Sequence, residues 1–344
     1  MNAVPSQFND KHRTGCGRGR AFSMTELLVV MAIIAVLAGI LLVALKGVRE
    51  RALATQTRAT MQEFSKACDS FQIEQGRYPG IIPESILAQN PEISGTENAI
   101  LDMMGGVIRG DDPRYNDPPF DSWDEIIINN TDLGKIRVNK QLIGNGPEIN
   151  GRPYSPYFTP KGDELAIVSG HQAPPGGGPG FGTPEPLPDL VDAWGQPIIY
   201  VRRVRPVGDL VGVDDSNNPQ FMLGTMRPYI DSDRLGELGR DQQHPTKGSI
   251  IFLAGNDDEK SRIFAQIIRH PSFGLSKESL TGTARGAYVL ISAGKDGVYF
   301  SVADGPGTPQ LPIFGSGGLT FADFMELGPK VIDEFDDLRL FGGG

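Results

Sequence analysis

Few residues in this sequence stand where they could do chemistry, and the most conspicuous is a lone acid. Residues 20–31 read RAFSMTELLVVM: a basic stretch ends, and Glu26 stands at the head of an apolar run. From Leu27 to Leu45 there are 19 residues without a charge, closed off by Lys46, Arg49, Glu50 and Arg51. A carboxylate beside such a run costs free energy unless it stays at a polar boundary or meets a cation. The bland account seats Glu26 at headgroup level, near a helix N-terminus whose dipole favours negative charge. The functional account pairs it with a cation that a partner brings. Enzyme chemistry has little to stand on. Of four histidines, His12 lies in the basic leader, and His171, His244 and His270 sit in Gly/Pro-rich surroundings. There is no HExxH, no P-loop, no GxSxG elbow and no intact GxGxxG. We therefore expect no catalytic activity. Cys16 and Cys68 make neither a disulfide framework nor a CxxC metal pattern, and Cys68 is expected to be a small buried apolar residue.

The elements that must position Glu26 follow from length and charge. At about 1.5 Å per residue the 19-residue run reaches about 28 Å, close to the roughly 30 Å of a bilayer's hydrocarbon. Backbone groups in lipid must be satisfied internally, so the run is expected to be a helix. It is longer than a secretory signal's apolar region, and KGVRERALATQTRATMQEF continues it as helix, which fits an uncleaved anchor better than a cleaved signal. The chain carries a formal −10. Lys11, Arg13, Arg18 and Arg20 against Asp10 make residues 1–21 +3, which leaves −13 for the remainder. The basic tip should stay in the cytoplasm and the acidic body should be exported. An acidic body repels phosphate backbones, so no nucleic-acid partner is expected.

The helix is predicted to run on to about Gln75. Leu53, Met61, Phe64, Cys68 and Phe71 form one apolar stripe along it, and Gly76 and Pro79 stop it. With 44 Gly and 27 Pro in 344 residues, many turns and long loops should follow. Candidate strands are Pro197–Val204, Ser249–Ala254, Ala287–Ser292 and Val298–Val302, with shorter ones in EIIIN and ELAIVS. Lys295-Asp296-Gly297 reads as the turn of a hairpin between the last two of the longer strands. The tail DEFDDLRLFGGG is expected to fray. DSDRLG (231–236) is read as a solvated turn rather than the start of a calcium loop, and Trp194 as a packing anchor.

Against this background AFSMTELLVVMAIIAVLAGILL resembles the prepilin-type cleavage and methylation signal of type IV pilins and type II secretion pseudopilins. The resemblance implies cleavage between Ala21 and Phe22 by a membrane prepilin peptidase, followed by N-methylation of Phe22. Ala21 stands where the family more often has Gly. It also implies that Glu26 of one subunit neutralises the new Phe22 amine of its neighbour, a desolvated pair that sets register during polymerisation. Three later segments resemble major pseudopilins in order and polarity: IEQGRYPG (73–80), LVDAWGQPIIYV (190–201) and YVLISAGKDGVYFSVAD (288–304). The first two lie roughly 110 residues apart, farther than is usual in that family. In that family the loop around the last strands binds calcium. Here it would run from Ser292 to Asp304, with Asp296 and Asp304 as carboxylate ligands. The plainer account has Asp296 making a turn.

The expected class is α+β and pilin-like: a long N-terminal helix, transmembrane in its first half, packed on an antiparallel sheet and elaborated by large Gly/Pro-rich insertions. The expected organisation is a cleaved leader (1–21), a transmembrane and polymerisation helix (22–46), its amphipathic continuation (47–76) and an exported globular body (77–344) with insertions around 81–189 and 206–246. Expected partners are other pilin or pseudopilin subunits, the prepilin peptidase and the inner membrane, with the body periplasmic or otherwise extracytoplasmic. The expected function is a structural subunit of a pseudopilus or pilus, most consistent with type II protein secretion. The alternatives are a minor subunit that caps the filament tip and binds a partner, and a signal-anchored enzyme or binding protein.

Overall fold

A computed structural model describes residues 23–87, 93–167, 187–212, 218–223, 249, 251, 257–272, 280–301 and 337–343, with side chains 41–46 and 257–258 left out. The chain divides into two compact units, residues 1–50 and 51–344. Helix α1, Met24–Gln75, contributes to both. It starts after Ser23 and stops where Gly76 takes φ +73 and donates its N–H to the Gln72 carbonyl at 2.8 Å. A left-handed residue cannot continue an α-helix and glycine adopts it without penalty. In the first unit the large apolar side chains of α1 from Leu27 to Ile40 are exposed, for example Leu28 at 69% and Ile40 at 66%. Among the described residues no helix is long and apolar enough to cross a membrane.

In the second unit the stripe on α1 behaves as its spacing predicts. Met61, Phe64, Ala67, Cys68 and Phe71 are buried, while Leu53 is only half-buried. They meet a three-stranded antiparallel sheet of β8 (Ile198–Arg202), β11 (Tyr288–Ser292) and β12 (Leu338–Gly342), ordered β12-β11-β8. Register pairs Leu290 with Tyr200 and with Leu340. Side chains alternate across a strand. Ile198, Tyr200, Tyr288 and Leu290 face α1 and helix α3 (Gly95–Met104), while Ile199, Val201, Val289 and Ile291 join a second core with helix α4 (Asp257–Ile268). Burial of both faces explains why PIIYV and YVLIS are continuous apolar runs rather than alternating ones.

The stretch expected as an insertion at 81–189 contributes a short helix α2 (Glu84–Leu87), α3, and an antiparallel sheet of β1 (Val107–Arg109), β3 (Lys135–Val138) and β2 (Asp124–Ile127), in that order. Ile100 and Met103 of α3 enter the core against α1. Two-stranded antiparallel pairs follow: β4 (Glu148–Ile149) with β5 (Arg152–Pro153), and β6 (Leu165–Ile167) with β7 (Pro188–Leu190). A short parallel pair, β9 (Val211–Gly212) with β10 (Phe221–Met222), packs in the core that holds α4. The class is α+β: an N-terminal helix followed by mainly antiparallel sheets.

Two expectations fail, for one reason. Residues 294–297 do turn, but the described residues beyond them, 298–301, form no strand and no hairpin with β11; Val302 lies outside the described residues. Phe300 has φ +52, its N–H is taken by the Asp337 carboxylate at 2.9 and 3.0 Å, and Ser301 makes an isolated bridge to Ser249. The edge of β11 that a hairpin would have used belongs to β12. The described part of the tail, 337–343, is therefore no frayed end: Leu338–Gly342 completes the central sheet. Most of the predicted strand Ser249–Ala254 and the DSDRLG turn lie outside the described residues.

Candidate functional site

The sequence SMTE builds the mouth of α1. The Ser23 amide and hydroxyl both donate to Glu26 Oε2 at 2.9 Å, and the Glu26 amide donates back to Ser23 Oγ at 3.2 Å. This reciprocal capping box satisfies donors that a helix start leaves orphaned. Ser23 was missed on sequence, although the S-x-x-E signature was present. The same S-x-T-E recurs at residues 94–97, where Ser94 and Glu97 cap α3 in the same way. In α3 the acid is buried and its box starts a helix. At the head of α1 the acid is exposed, and the residues that follow it are apolar on every side. Glu26 thus presents an oriented anionic acceptor where an uncovered apolar helix begins. Ala21 and Phe22, the expected cleavage pair, lie outside the described residues.

The three pseudopilin-like segments, far apart in sequence, converge in the body. Tyr200 packs against Tyr288 with ring centroids 5.5 Å apart, and Tyr78 against Tyr288 at 5.2 Å. The Tyr200 hydroxyl donates to the Pro79 carbonyl at 3.3 Å. The GRYPG segment after α1 is clamped from two sides. From α3, Asp102 binds the Arg77 guanidinium and accepts the Gly80 amide at 2.7 Å, while Asn98 takes the Ile82 amide at 2.9 Å and donates to its carbonyl at 3.0 Å. From β8, Arg202 donates to Glu84 at 2.6 Å and to the Tyr78 and Ile82 carbonyls at 2.9 Å each. Burial works against the Arg202 charge, but the Glu84 carboxylate beside it holds its pKa above the ordinary value. Gly80 has φ +141, and a Cβ there would lie 2.6 Å from the Arg202 guanidinium carbon, so a larger residue would be strained and would have to push the guanidinium out of the clamp. The Thr96 hydroxyl donates to the Ile198 carbonyl at 2.6 Å and accepts the Tyr200 amide at 3.0 Å, tying α3 to the open edge of β8.

In LVDAWGQP, the buried Asp192 makes the turn. It accepts the Trp194 and Gln196 amides at 2.9 Å each and the Ser292 hydroxyl at 2.7 Å. Burial pushes its carboxyl pKa up, opposed by these same hydrogen bonds. Trp194 packs against the core beside α1, and Cys68 is fully buried there. Asp296 takes the Val298 amide at 2.8 Å, as a turn residue does, while Asp304 lies outside the described residues. Among the described residues no group of three or more His, Cys, Asp or Glu is placed to hold a metal ion. His270 accepts the Ser272 amide at 3.2 Å, and His171 and His244 lie outside the described residues.

The family model for the prokaryotic N-terminal methylation motif matches residues 17–42. No curated protein and no solved structure matches the chain. The matched residues span the basic end of the leader, Ala21-Phe22, the Ser23–Glu26 box and the first part of the apolar run, so the chain carries a prepilin-type N-terminal signal, that of type IV pilin-like proteins and pseudopilins.

Proposed function

We propose that this chain is a structural, non-catalytic subunit of a pseudopilus or pilus, most consistent with type II protein secretion. It is cut between Ala21 and Phe22 and methylated on Phe22. It is held in the inner membrane by the run Leu27–Leu45 and exports its body. The observation that carries this is the coincidence of the methylation motif with a capped helix whose first half has no polar face to turn to water. Such a surface needs lipid before assembly and neighbouring helices after it. Glu26 then supplies the anion for a neighbour's Phe22 amine. The bulk of the body, with its additional three-stranded sheet, favours a place at the filament tip as the second reading.

The capping box makes the ion-pair role separable from helix starting. Glu26→Gln keeps a carbonyl acceptor for Ser23 but removes the charge; Ser23→Ala weakens the cap and keeps the charge. Removing one member of a desolvated pair weakens association roughly a hundredfold or more, whereas loss of a cap typically costs about fivefold in local helix stability. In cells with the prepilin peptidase, the fraction of chain recovered in sedimentable filaments should collapse for Glu26→Gln and stay within about threefold of wild type for Ser23→Ala. Wild-type assembly by processed Glu26→Gln would sink the proposal.

A further inference from the structure

The body holds a cleft of about 770 Å³, lined by the end of α1, by β1 and the loop after it, and by the loop that carries β4. That volume lies within the range of clefts that take a small ligand. All its lining residues fall between Gln75 and Gly151, so it stands independently of the filament reading.

Its charges are compensated in place. Arg77 is bound by Asp102, Arg109 by Asp111, and Arg114 by both Asp112 and Glu148. Three guanidiniums against four carboxylates leave the cleft near neutral, which gives it no grip on a phosphate, a polyanion or a polycation. The pairing also fixes planar donors and acceptors in place, so little side-chain entropy remains to be lost on binding. Between them stand two aromatic rings. Phe120 and Trp123 meet edge-to-face, 4.9 Å between centroids, and the Arg114 guanidinium lies 5.2 Å from the centre of the Phe120 ring. Trp123 is half-buried and lines the cleft. Asn145 and Asn150 add neutral amides to the same wall.

A near-neutral cleft with an indole in its wall and planar hydrogen-bonding groups beside it suits a ring that has an apolar C–H face and a rim of hydroxyls. We propose that this cleft binds a neutral saccharide, with Trp123 as the stacking platform and the Arg114–Asp112–Glu148 cluster reading the hydroxyls. A polypeptide segment is the competing occupant. It would need the cleft's backbone groups as well as its side chains.

The test uses the full chain in a zwitterionic detergent with no sugar headgroup. Trp194→Phe leaves Trp123 as the single indole, because the chain has two tryptophans. Neutral hexose and N-acetylhexosamine oligomers are titrated against its fluorescence, alongside a pool of uncharged peptides. The expected result is a saturable shift with at least one oligosaccharide series and none with the peptides. In the otherwise wild-type chain, read by calorimetry, Trp123→Tyr should keep binding within about threefold and Trp123→Leu should lose about tenfold or more. Leu preserves apolar bulk against Phe120, so an unchanged unfolding midpoint separates lost stacking from lost structure. Failure of every saccharide to bind, binding by peptides alone, or full binding by Trp123→Leu would each overturn the assignment.

Discussion

Arg202 offers a quantitative test of how the body holds the end of its long helix. Its side chain is 12% exposed and that of its partner Glu84 5%. Replacing Arg202 with Met keeps apolar volume but strands the Glu84 carboxylate and leaves the Tyr78 carbonyl without its donor; the Ile82 carbonyl keeps Asn98. Breaking a buried pair from one side costs about 3–5 kcal/mol. The double variant Arg202→Met/Glu84→Gln buries neither charge, so its residual loss is that of unpaired neutral groups, about 1–3 kcal/mol. The double variant should therefore be more stable than the Arg202→Met single by about 2 kcal/mol. Urea unfolding of the full chain in micelles, followed by tryptophan fluorescence, reads this directly. With a slope of about 3 kcal/mol per molar, Arg202→Met should lower the midpoint by about 1–2 M and the second substitution should restore about 0.5 M or more. A single variant that unfolds within about 0.3 M of wild type, or a double variant no better than the single, would refute the view of the clamp as a buried charge pair.

Asp192→Ala should lose about 2–4 kcal/mol, because three donors at the LVDAWGQP turn lose their acceptor; Asp192→Asn, which keeps the oxygen, should be tolerated. Since the folded carboxyl titrates above its unfolded value of 3.8, the protonated form favours the folded state. That contribution is complete below 3.8 and is lost as pH rises through the folded pKa, so the variant Asp192→Asn should flatten this fall in a series of thermal melts. Burial pushes the Cys68 thiol well up, and the proposed cut between Ala21 and Phe22 would take Cys16 away with the leader. The mature chain should therefore take up no maleimide when folded and one equivalent when unfolded, read by intact mass, which also reports the cleavage point.

Much of the fold was legible wherever a signal was local. Gly76 and Pro79 marked the end of α1, the Met61–Phe71 stripe marked its buried face, and the apolar runs at 198–202 and 288–292 marked the central strands. What escaped was set by distant partners. Lys295-Asp296-Gly297 carried good turn chemistry and does turn, but β12 occupies the edge its hairpin needed. Thr96, Asn98 and Asp102 look like ordinary polar residues of a short helix; their roles exist only because GRYPG and β8 lie against them. Two local signals were present and went unread. One is the S-x-T-E box at both helix starts. The other is Asn150-Gly151, whose paired positive φ values make the tight turn between β4 and β5. At the candidate site, Glu26 was visible from sequence because a charge beside an apolar run is conspicuous, and Ser23 was not because serine is unremarkable anywhere.

The position of β12 has a kinetic consequence. Leu338 shares a core with Phe64 on α1, and β12 pairs with β11, so the central sheet cannot close before residue 342 has arrived. Contacts between such remote parts of a chain are slow to form. If the body is delivered across a membrane N-terminal end first, β11 waits with one edge unpaired, and the α1 core with one side open, until β12 emerges. A chain truncated before β12 would leave the β11 edge and the part of the core under Leu338 open, and would be recognisable as incomplete by surveillance proteases or chaperones. Closure by β12 thus makes arrival of residues 338–342 a condition for a fully paired central sheet.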